Sequence, residues 1–476
     1  MRRGTVETPV ICRYRVGFGD LVHGHVHEGC VAATRGQHAG DRCGIADDSA
    51  CRALASRPEA EEWQAARLEE GAPVSASTGG AGPEMDCPGI GTTLISRTVA
   101  VDGYFLDDHR TGMGNVLLEY LELLAASVSS PRLVLLLPAG DGYRDASRLT
   151  ELGVSVQRFP RLPFPAWEQV TLRRWALRRH PDLLWSPYNT AVLHSPVPQI
   201  VTVHDTIYLD GRWNDPETRY KQFGKLYRRC VVPRVAASAA GVITVSEDSS
   251  RNIQRRLHVP KAVISVVPPP VKGPELDSYP TGDVPWNSPF VLGVGSLEER
   301  KNLARLLAAY KDCVTDCDDF PDLVLYGFRE YTGSRAEELI TNAGLRDRVH
   351  VMGYVDVSTK WRLYGEAEFF CFPSLYEGFG IPAVEAMLVG CPVMTSSAAA
   401  LAELPDETVA RTDPFSVGSM SRVMLQLHRN GEMRAKLSDA ARAWVSRHRR
   451  PEATLRSLHE ALGAALGIPQ GVGDAE

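Results

Sequence analysis

"EFFCFPSLYEGFGIPAVEAMLVGCPVMTS", residues 368–396, holds the pattern that decides the fold. An apolar run (368–374) breaks at glycines, a helical pattern starts around Pro382, and "CPVMTS" (391–396) is apolar again. Strand, helix and strand in so short a span make a βαβ unit with parallel strands, and a proline suits the first helical turn. Glu377 then follows a strand and Glu385 lies about one turn into the helix, so both carboxylates border one helix N-terminus. Gly378 and Gly380 let the backbone approach a ligand closely, and the free N–H groups at the helix start attract an anion such as a phosphate. The glutamates would repel that anion. Their partners are hydroxyls, which donate to carboxylates, so the stretch asks for sugar rings on both sides of an anionic centre: a sugar nucleotide.

Outward from this unit, the second half reads as a series: "PFVLGVGSL" (289–297), helix "LARLLAAYKDC" (303–313), "DLVLYG" (322–327), helix "SRAEELITNAG" (334–344) and "RVHVMGYV" (348–355). An earlier series alternates in the same way through "RLVLLLPA" (132–139), "DLLWSP" (182–187), "QIVTVHD" (199–205), "AGVITVS" (240–246) and "VISVVP" (263–268). Between them "VVPPPVKGPELDSYPTGDVPWNSP" (266–289) is too rich in Pro and Gly for helix or sheet to continue. The expected fold class is α/β: two Rossmann-like domains with parallel sheets facing across an interdomain cleft, residues 92–270 and 289–448, joined by a linker at 271–288. Helical patterns end the chain; the last, 449–466, is expected to pack back on the first domain, ahead of a tail at 467–476. In open α/β sheets the ligand sits beyond the carboxyl ends of the strands, which makes the cleft the expected site.

Residues 1–91 match none of this. They show no sustained helical or strand period and read as a disordered extension, with Met85 as an alternative start of translation. His23, His25 and His27 with Cys12, Cys30, Cys43 and Cys51 suggest zinc, but the paired C-x2-C knuckle is missing and no metal is assigned.

Composition bounds the function. The chain has 476 residues, of which 44% are hydrophobic and 23% charged, with a net charge of −6, which gives no global attraction to nucleic acid. No apolar run approaches the ~20 residues of a spanning helix, and "GTVETPVICRYR" after Met1-Arg2-Arg3 is not a signal-peptide core, so a cytoplasmic protein is expected. The ten cysteines fit reduced thiols; Cys230, Cys371 and Cys391 lie in apolar runs and read as core.

Three further signals bear on the cleft. In "GSLEERKNL" (295–303) a strand ends at Gly295 and a helix begins near Asn302, so Arg300 and Lys301 stand at a helix entrance, able to neutralise a diphosphate without a metal. An isolated Arg-Lys is ordinarily a solvated pair; the glutamate motif in the same half favours the binding reading. "RTGMGNVLLEYLELL" (110–124) puts Gly112 and Gly114 between strand and helix, where glycines admit phosphate or merely cap. His204 and Asp205 end a strand facing the cleft; the histidine is a sugar ligand or a structural contact, the aspartate a ligand or a helix cap. Two other signals are set aside. Asp316-Cys317-Asp318 imitates a manganese-binding DxD motif but reads as a solvated loop. "LRRWALRRH" (172–180), with Arg173, Arg174, Arg178 and Arg179 around Trp175, reads as a solvent-facing helix, with an anionic membrane surface or acceptor as the alternative.

With these motifs in view, residues from about Thr93 to about Leu466 resemble the family-4 glycosyltransferases of GT-B fold, in the manner of bacterial mannosyltransferases. "PSLYEGFGIPAVEAMLVGCPVMTS" is similar to that family's E-x7-E signature, "VGSLEERKNL" to its phosphate-binding strand and helix, "RTGMGNVLLEYL" to its glycine loop, and "PQIVTVHDTIYL" to its His-Asp strand end. The resemblance implies retaining, metal-independent transfer of a hexose from a nucleoside diphosphate sugar, with GDP-mannose the first guess, to an acceptor hydroxyl in glycan, glycolipid or natural-product synthesis. It implies an N-terminal acceptor domain and a C-terminal donor domain, and no cofactor beyond the donor substrate. It assigns Glu377, Gly378, Phe379 and His204 to the donor sugar, Glu385 to the ribose, and Arg300, Lys301, Gly112, Gly114, Gly380 and Ile381 to the diphosphate, with His204 and Glu377 closest to the chemistry. Partners would be the nucleotide sugar, a carbohydrate, lipid-linked or natural-product acceptor, no nucleic acid, and the inner face of a membrane as a peripheral contact. Ser296 and Asn115 stand where arginines are frequent in the family, and "VVPPPV" replaces its usual Asn-Gly turn. A catalytically silent sugar-nucleotide-binding subunit, or another GT-B enzyme such as a phosphorylase or epimerase, is the alternative; the intact set Glu377, Glu385 and Lys301 argues against the silent form.

Overall fold

The computed structural model describes residues 94–107, 112–140, 142–210, 219–273 and 289–469, excepting the side chains of residues 219–222. The extension with its His and Cys residues, Met85, most of the linker and most of the tail lie outside the described residues.

The first lobe alternates β1 (Thr98–Asp102), α1 (Gly112–Ala126), β2 (Arg132–Pro138), α2 (Asp145–Glu151), β3 (Ser155–Phe159), a π turn (Trp167–Leu172) running into α3 (Arg173–Arg179), β4 (Leu183–Ser186), β5 (Gln199–Thr202), α4 (Arg219–Ser238), β6 (Gly241–Thr244), α5 (Glu247–Leu257) and β7 (Ile264–Val266). The second continues with β8 (Phe290–Val294), α6 (Leu303–Asp316), β9 (Asp322–Tyr326), α7 (Arg335–Asn342), β10 (Val349–Val351), α8 (Val357–Glu366), β11 (Phe369–Phe372), α9 (Ile381–Leu388), β12 (Val393–Ser396) and β13 (Ala410–Thr412), then α10 (Val417–Arg429), α11 (Gly431–His448) and α12 (Pro451–Ala465).

The strands form two wholly parallel sheets, seven strands in the order β3-β2-β1-β4-β5-β6-β7 and six in the order β10-β9-β8-β11-β12-β13. Runs such as Leu183–Ser186 and Phe369–Phe372 are buried throughout because helices cover both faces, which is why they read as continuous rather than alternating apolar segments. In each sheet the chain moves to one edge and then returns past its first strand. The strand order therefore reverses between β1 and β4, and between β8 and β11. A crevice forms at such a point, beyond the carboxyl ends, and the Gly112 loop, Gly295 and Glu377 follow β1, β8 and β11.

The last helix, α12, leaves the second lobe and buries Leu458, Ala461, Leu462 and Ala465 in the first-lobe core with Leu117, Leu121 and Ile243. Thr454 donates to Pro268 O at 3.0 Å, and His459 Nε2 lies 2.9 Å from Ser130 Oγ.

Some expectations need correction. Cys230 is exposed, because α4 turns it outward while Val231 and Val232 face the core; Cys371 and Cys391 are buried. Asp316-Cys317-Asp318 is not wholly loop, since Asp316 closes α6 and Cys317 caps it, half-buried. The basic segment is helical, yet Trp175 is buried and donates to Gln157 Oε1 at 2.8 Å. Arg174, Arg178 and Arg179 line a cavity of about 350 Å³ together with Phe159, Leu162 and Trp175.

Candidate active site

Two loops of the second lobe make the site. After β8, Glu299–Lys301 form a short 3-10 turn ending at Asn302, whose left-handed backbone (φ 64°) redirects the chain into α6. Asn302 Nδ2 donates to Pro373 O (3.0 Å) and Pro414 O (2.7 Å), and Leu375 N donates to Arg300 O (2.7 Å). The β8 loop is thereby stitched to the loop after β11. Asn302 marked only a helix start in the sequence; a non-glycine residue in a left-handed conformation at a cap is invisible there.

That stitching brings the expected diphosphate cations and the expected sugar carboxylate into direct contact. Glu377 is buried, with Oε1 2.7 Å from Lys301 Nζ and Oε2 3.1 Å from Arg300 Nη1. Lys301 Nζ also sits over the Phe372 ring, 4.8 Å from its centroid, and Arg300 also pairs with Glu298. Burial alone would raise the Glu377 pKa; Lys301 and then Arg300 outweigh it and hold the carboxyl below its ordinary value. Burial works against the Arg300 guanidinium too, and Glu377 with Glu298 raises its pKa regardless. Both shifts favour the charged forms of Glu377 and Arg300.

Gly380 has φ 98°, and a Cβ there would meet Leu401 Cδ2 at 2.6 Å, so the turn into α9 requires glycine. Neither α6 nor α9 has a side-chain cap. In α9 Pro382 has no N–H and Ala383 N already donates to Gly380 O (3.0 Å), so the amides that could meet an anion at the Glu377 seam are Ile381 N and those of the first turn of α6. Phe379 places its ring beneath the Arg449 guanidinium at 5.3 Å, and the Ile381 side chain packs against the first-lobe core. One turn into α9, Glu385 is held by Lys360 Nζ (2.5 Å) and by the Tyr364 hydroxyl (3.2 Å), which lies 2.6 Å from that of Tyr326. Lys360 and Tyr364 were missed by sequence reasoning, since α8 carries no spacing that distinguishes them from an ordinary amphipathic helix.

The first lobe meets this seam closely. A Cβ on Gly378 would lie 2.8 Å from His204 O, so only glycine fits between the lobes. Ser246 and Ser249 donate to Gly378 O at 2.7 and 3.2 Å, and Glu403 of the second lobe accepts from Glu247 N (3.3 Å) and Asp248 N (2.5 Å) at the start of α5. A cavity of about 380 Å³ opens between the lobes beside Tyr376. His204 does not open freely into the cleft as expected: it is buried, its Nε2–H donates to Pro187 O at 2.9 Å, and burial lowers its pKa, leaving Nδ1 unprotonated. Asp205 Oδ1 accepts from Ile207 N at 3.0 Å, as a cap of the following turn. Gly114 is buried in α1, whereas Gly112 is exposed and a Cβ there would meet nothing within 4 Å among the described residues.

Sequence models of glycosyl transferases group 1 and of Glycosyltransferase Family 4 match residues 282–444 and 110–272, together more than half of the chain. The chain is a family-4 glycosyltransferase of GT-B fold. This glycosyltransferase is 27% identical to the O-antigen chain mannosyltransferase B of Escherichia coli over 66% of its own length and 86% of the relative's. It is 29% identical to the MMP alpha-(1->4)-mannosyltransferase of Mycolicibacterium hassiacum, over 52% of this chain and 60% of that one. Its fold superposes on the crystal structure of Anabaena HepE in complex with UDP and glucose with a TM-score of 0.57, covering 77% of this chain and all of that one at 19% identity. Among the described residues of the glycosyltransferase no helix is long and apolar enough to cross a membrane.

Proposed function

We propose that this glycosyltransferase moves a hexose, with retention and without a metal, from a nucleoside diphosphate sugar to an acceptor hydroxyl. The observation that carries the reading is the Arg300–Glu377–Lys301 cluster at the lobe seam. In the free enzyme Glu377 occupies the two cations. A diphosphate takes over Arg300, Lys301 and the uncapped helix-start amides, with Gly112 and Gly114 closing from the opposite wall, and releases the carboxylate to accept from the sugar hydroxyls. Glu385 exchanges Lys360 for ribose hydroxyls in the same way. The cations and amides then stabilise the charge that accumulates on the leaving diphosphate. That leaving group takes the acceptor's proton on the same face, so retention needs no strong side-chain nucleophile, and His204 borders the sugar.

Mannose as the transferred sugar is suggested by the names of the two mannosyltransferase relatives, with GDP-mannose as donor. UDP-glucose is the second reading, suggested by the nucleotide and sugar in the Anabaena structure. The cavity edged by Arg174, Arg178 and Arg179 suits contact with an anionic acceptor or membrane surface. A panel of GDP-, UDP- and dTDP-sugars, assayed in EDTA for donor hydrolysis and for the anomer of any transferred product, tests the reading. Turnover with at least one donor and an anomer matching the donor's is expected; a strict manganese requirement or an inverted anomer contradicts it.

A further inference from the structure

On the far side of the second lobe from Glu377, three metal-ligating groups of three chemical kinds converge. Cys317 caps the C-terminus of α6, Asp319 follows in the connection to β9, and His428 stands in the last turn of α10. Cys317 Sγ donates to Asp319 Oδ1 at 3.0 Å, His428 Nε2 lies 3.8 Å from the same oxygen, and all three candidate ligand atoms fall within 4.8 Å of one another. The strand that follows, β9, starts at Asp322, so the trio lies by the amino end of its sheet, whereas Glu377 lies beyond the carboxyl end of β11.

We propose that Cys317, Asp319 and His428 form a binding site for a divalent ion of the Zn²⁺ or Co²⁺ class, with water as the fourth ligand. Tetrahedral zinc with bonds of about 2.0–2.3 Å sets its ligand atoms roughly 3.3–3.7 Å apart. The separations of 3.0 and 3.8 Å straddle that spacing. The imidazole is already aimed. Its Nδ1 faces Glu368 Oε1 at 3.1 Å, and Arg434 anchors that carboxylate at 2.9 Å, leaving Nε2 for an ion in the carboxylate–histidine arrangement that orients an imidazole ligand. Phe320 packs edge-on against the ring at 5.1 Å between centroids. Two helices, α6 and α10, direct their C-terminal carbonyl ends here, which favours a cation. A thiolate with an imidazole selects zinc or cobalt over magnesium, manganese or calcium, which prefer oxygen alone. On binding, the ion displaces the thiol proton to solvent and Arg429, which lies beside Cys317, swings aside. The site needs His428, some 110 residues along the chain, so the Asp316-Cys317-Asp318 run gives no sign of it. The bound ion staples α6 to α10 and takes no part in transfer.

Titration of the full-length protein with Co²⁺ under reducing conditions tests the proposal. One equivalent should give thiolate-to-cobalt absorption in the near ultraviolet and the visible bands of tetrahedral cobalt, both abolished by stoichiometric Zn²⁺. Cys317→Ser should lose that band, Glu368→Gln should bind on the order of 10–100-fold more weakly, and His428→Gln, which removes a ligand, should weaken binding further. Zn²⁺ should raise the melting temperature of the wild type and not of Cys317→Ser, with both melting alike in EDTA. No thiolate band in the wild type, or one persisting unchanged in both Cys317→Ser and His428→Gln, would overturn the site; thiols of the N-terminal extension would produce the second result.

Discussion

The two lobes share one architecture, yet two carboxylates of each are held in opposite ways. In the second lobe Glu377 and Glu385 lie near the seam, paired with Arg300 and Lys301 and with Lys360. In the first lobe Asp102 and Glu168 are fully buried and held by neutral donors. Asp102 Oδ1 accepts from Trp167 Nε1 (2.8 Å) and Tyr104 N (3.0 Å); Glu168 Oε2 accepts from the Tyr227 hydroxyl (2.5 Å) and Gln169 Nε2 (3.0 Å). Burial pushes both Asp102 and Glu168 up to about 7, whereas the cations beside Glu377 overcome the same effect. A carboxylate paired with cations can exchange partners with a ligand that brings both phosphate and hydroxyls. An acid held by an indole or a phenol inside a closed core has nothing to exchange. The exchange proposed for the seam thus has no counterpart at Asp102 and Glu168, which belong to the fold.

The largest expected effect is in turnover. Glu377→Ala should lower it on the order of 10²–10³-fold while leaving nucleotide binding largely intact; unchanged turnover would take Glu377 out of the sugar site. Lys301→Ala should destabilise the fold by about 2 kcal/mol in denaturant unfolding, less than a wholly orphaned buried charge because Arg300 remains. Equal stability would mean the pair is worth nothing net. For Glu385→Ala, KM for the donor should rise about tenfold with kcat nearly kept, equivalent to roughly 1.4 kcal/mol of binding.

The comparison also predicts opposite pH responses. Asp102 and Glu168 hold protons more tightly folded than unfolded, so stability falls as the pH rises from about 4 to about 7 and the penalty is complete above that. Between pH 5 and pH 8 the Asp102→Asn Glu168→Gln double variant should lose less melting temperature than the wild type, since Glu119, raised to about 7 by burial, and His204, lowered by burial, are the same in both proteins; a drop as steep as the wild type's would break the contrast. Glu377 runs the other way. Its contribution is complete above the ordinary value of 4.5 and is lost as the pH falls through its lower folded value, so only stronger acid erodes the seam. The smallest effect belongs to Glu403→Ala, about 0.5–1 kcal/mol from losing a carboxylate at the start of α5.

The fold was legible because fully buried parallel strands read as continuous apolar runs, and because Gly380, Pro382 and the helix after them mark a βαβ unit whatever surrounds it. Glu377, Arg300 and Lys301 were legible as residues, since each sits at a strand end or helix entrance. Their contact with one another was not: it depends on Leu375 N and Asn302 Nδ2 joining two loops over 70 residues apart. Lys360, Tyr364 and Glu403 lie on ordinary helical turns and acquire meaning only from what packs against them. His204 was placed at the right strand end but given the wrong exposure, because nothing in "QIVTVHD" says that Pro187 O waits for its ring.

Calorimetric titration with GDP and with UDP in EDTA, of the wild type and of Lys301→Ala, tests most directly whether a diphosphate replaces Glu377 on its two cations. The account predicts that at least one nucleotide binds the wild type without metal and that Lys301→Ala binds it at least about tenfold more weakly, the loss expected from one charge-assisted contact. Equal affinity in the two proteins, or binding that appears only when manganese is added, would contradict it.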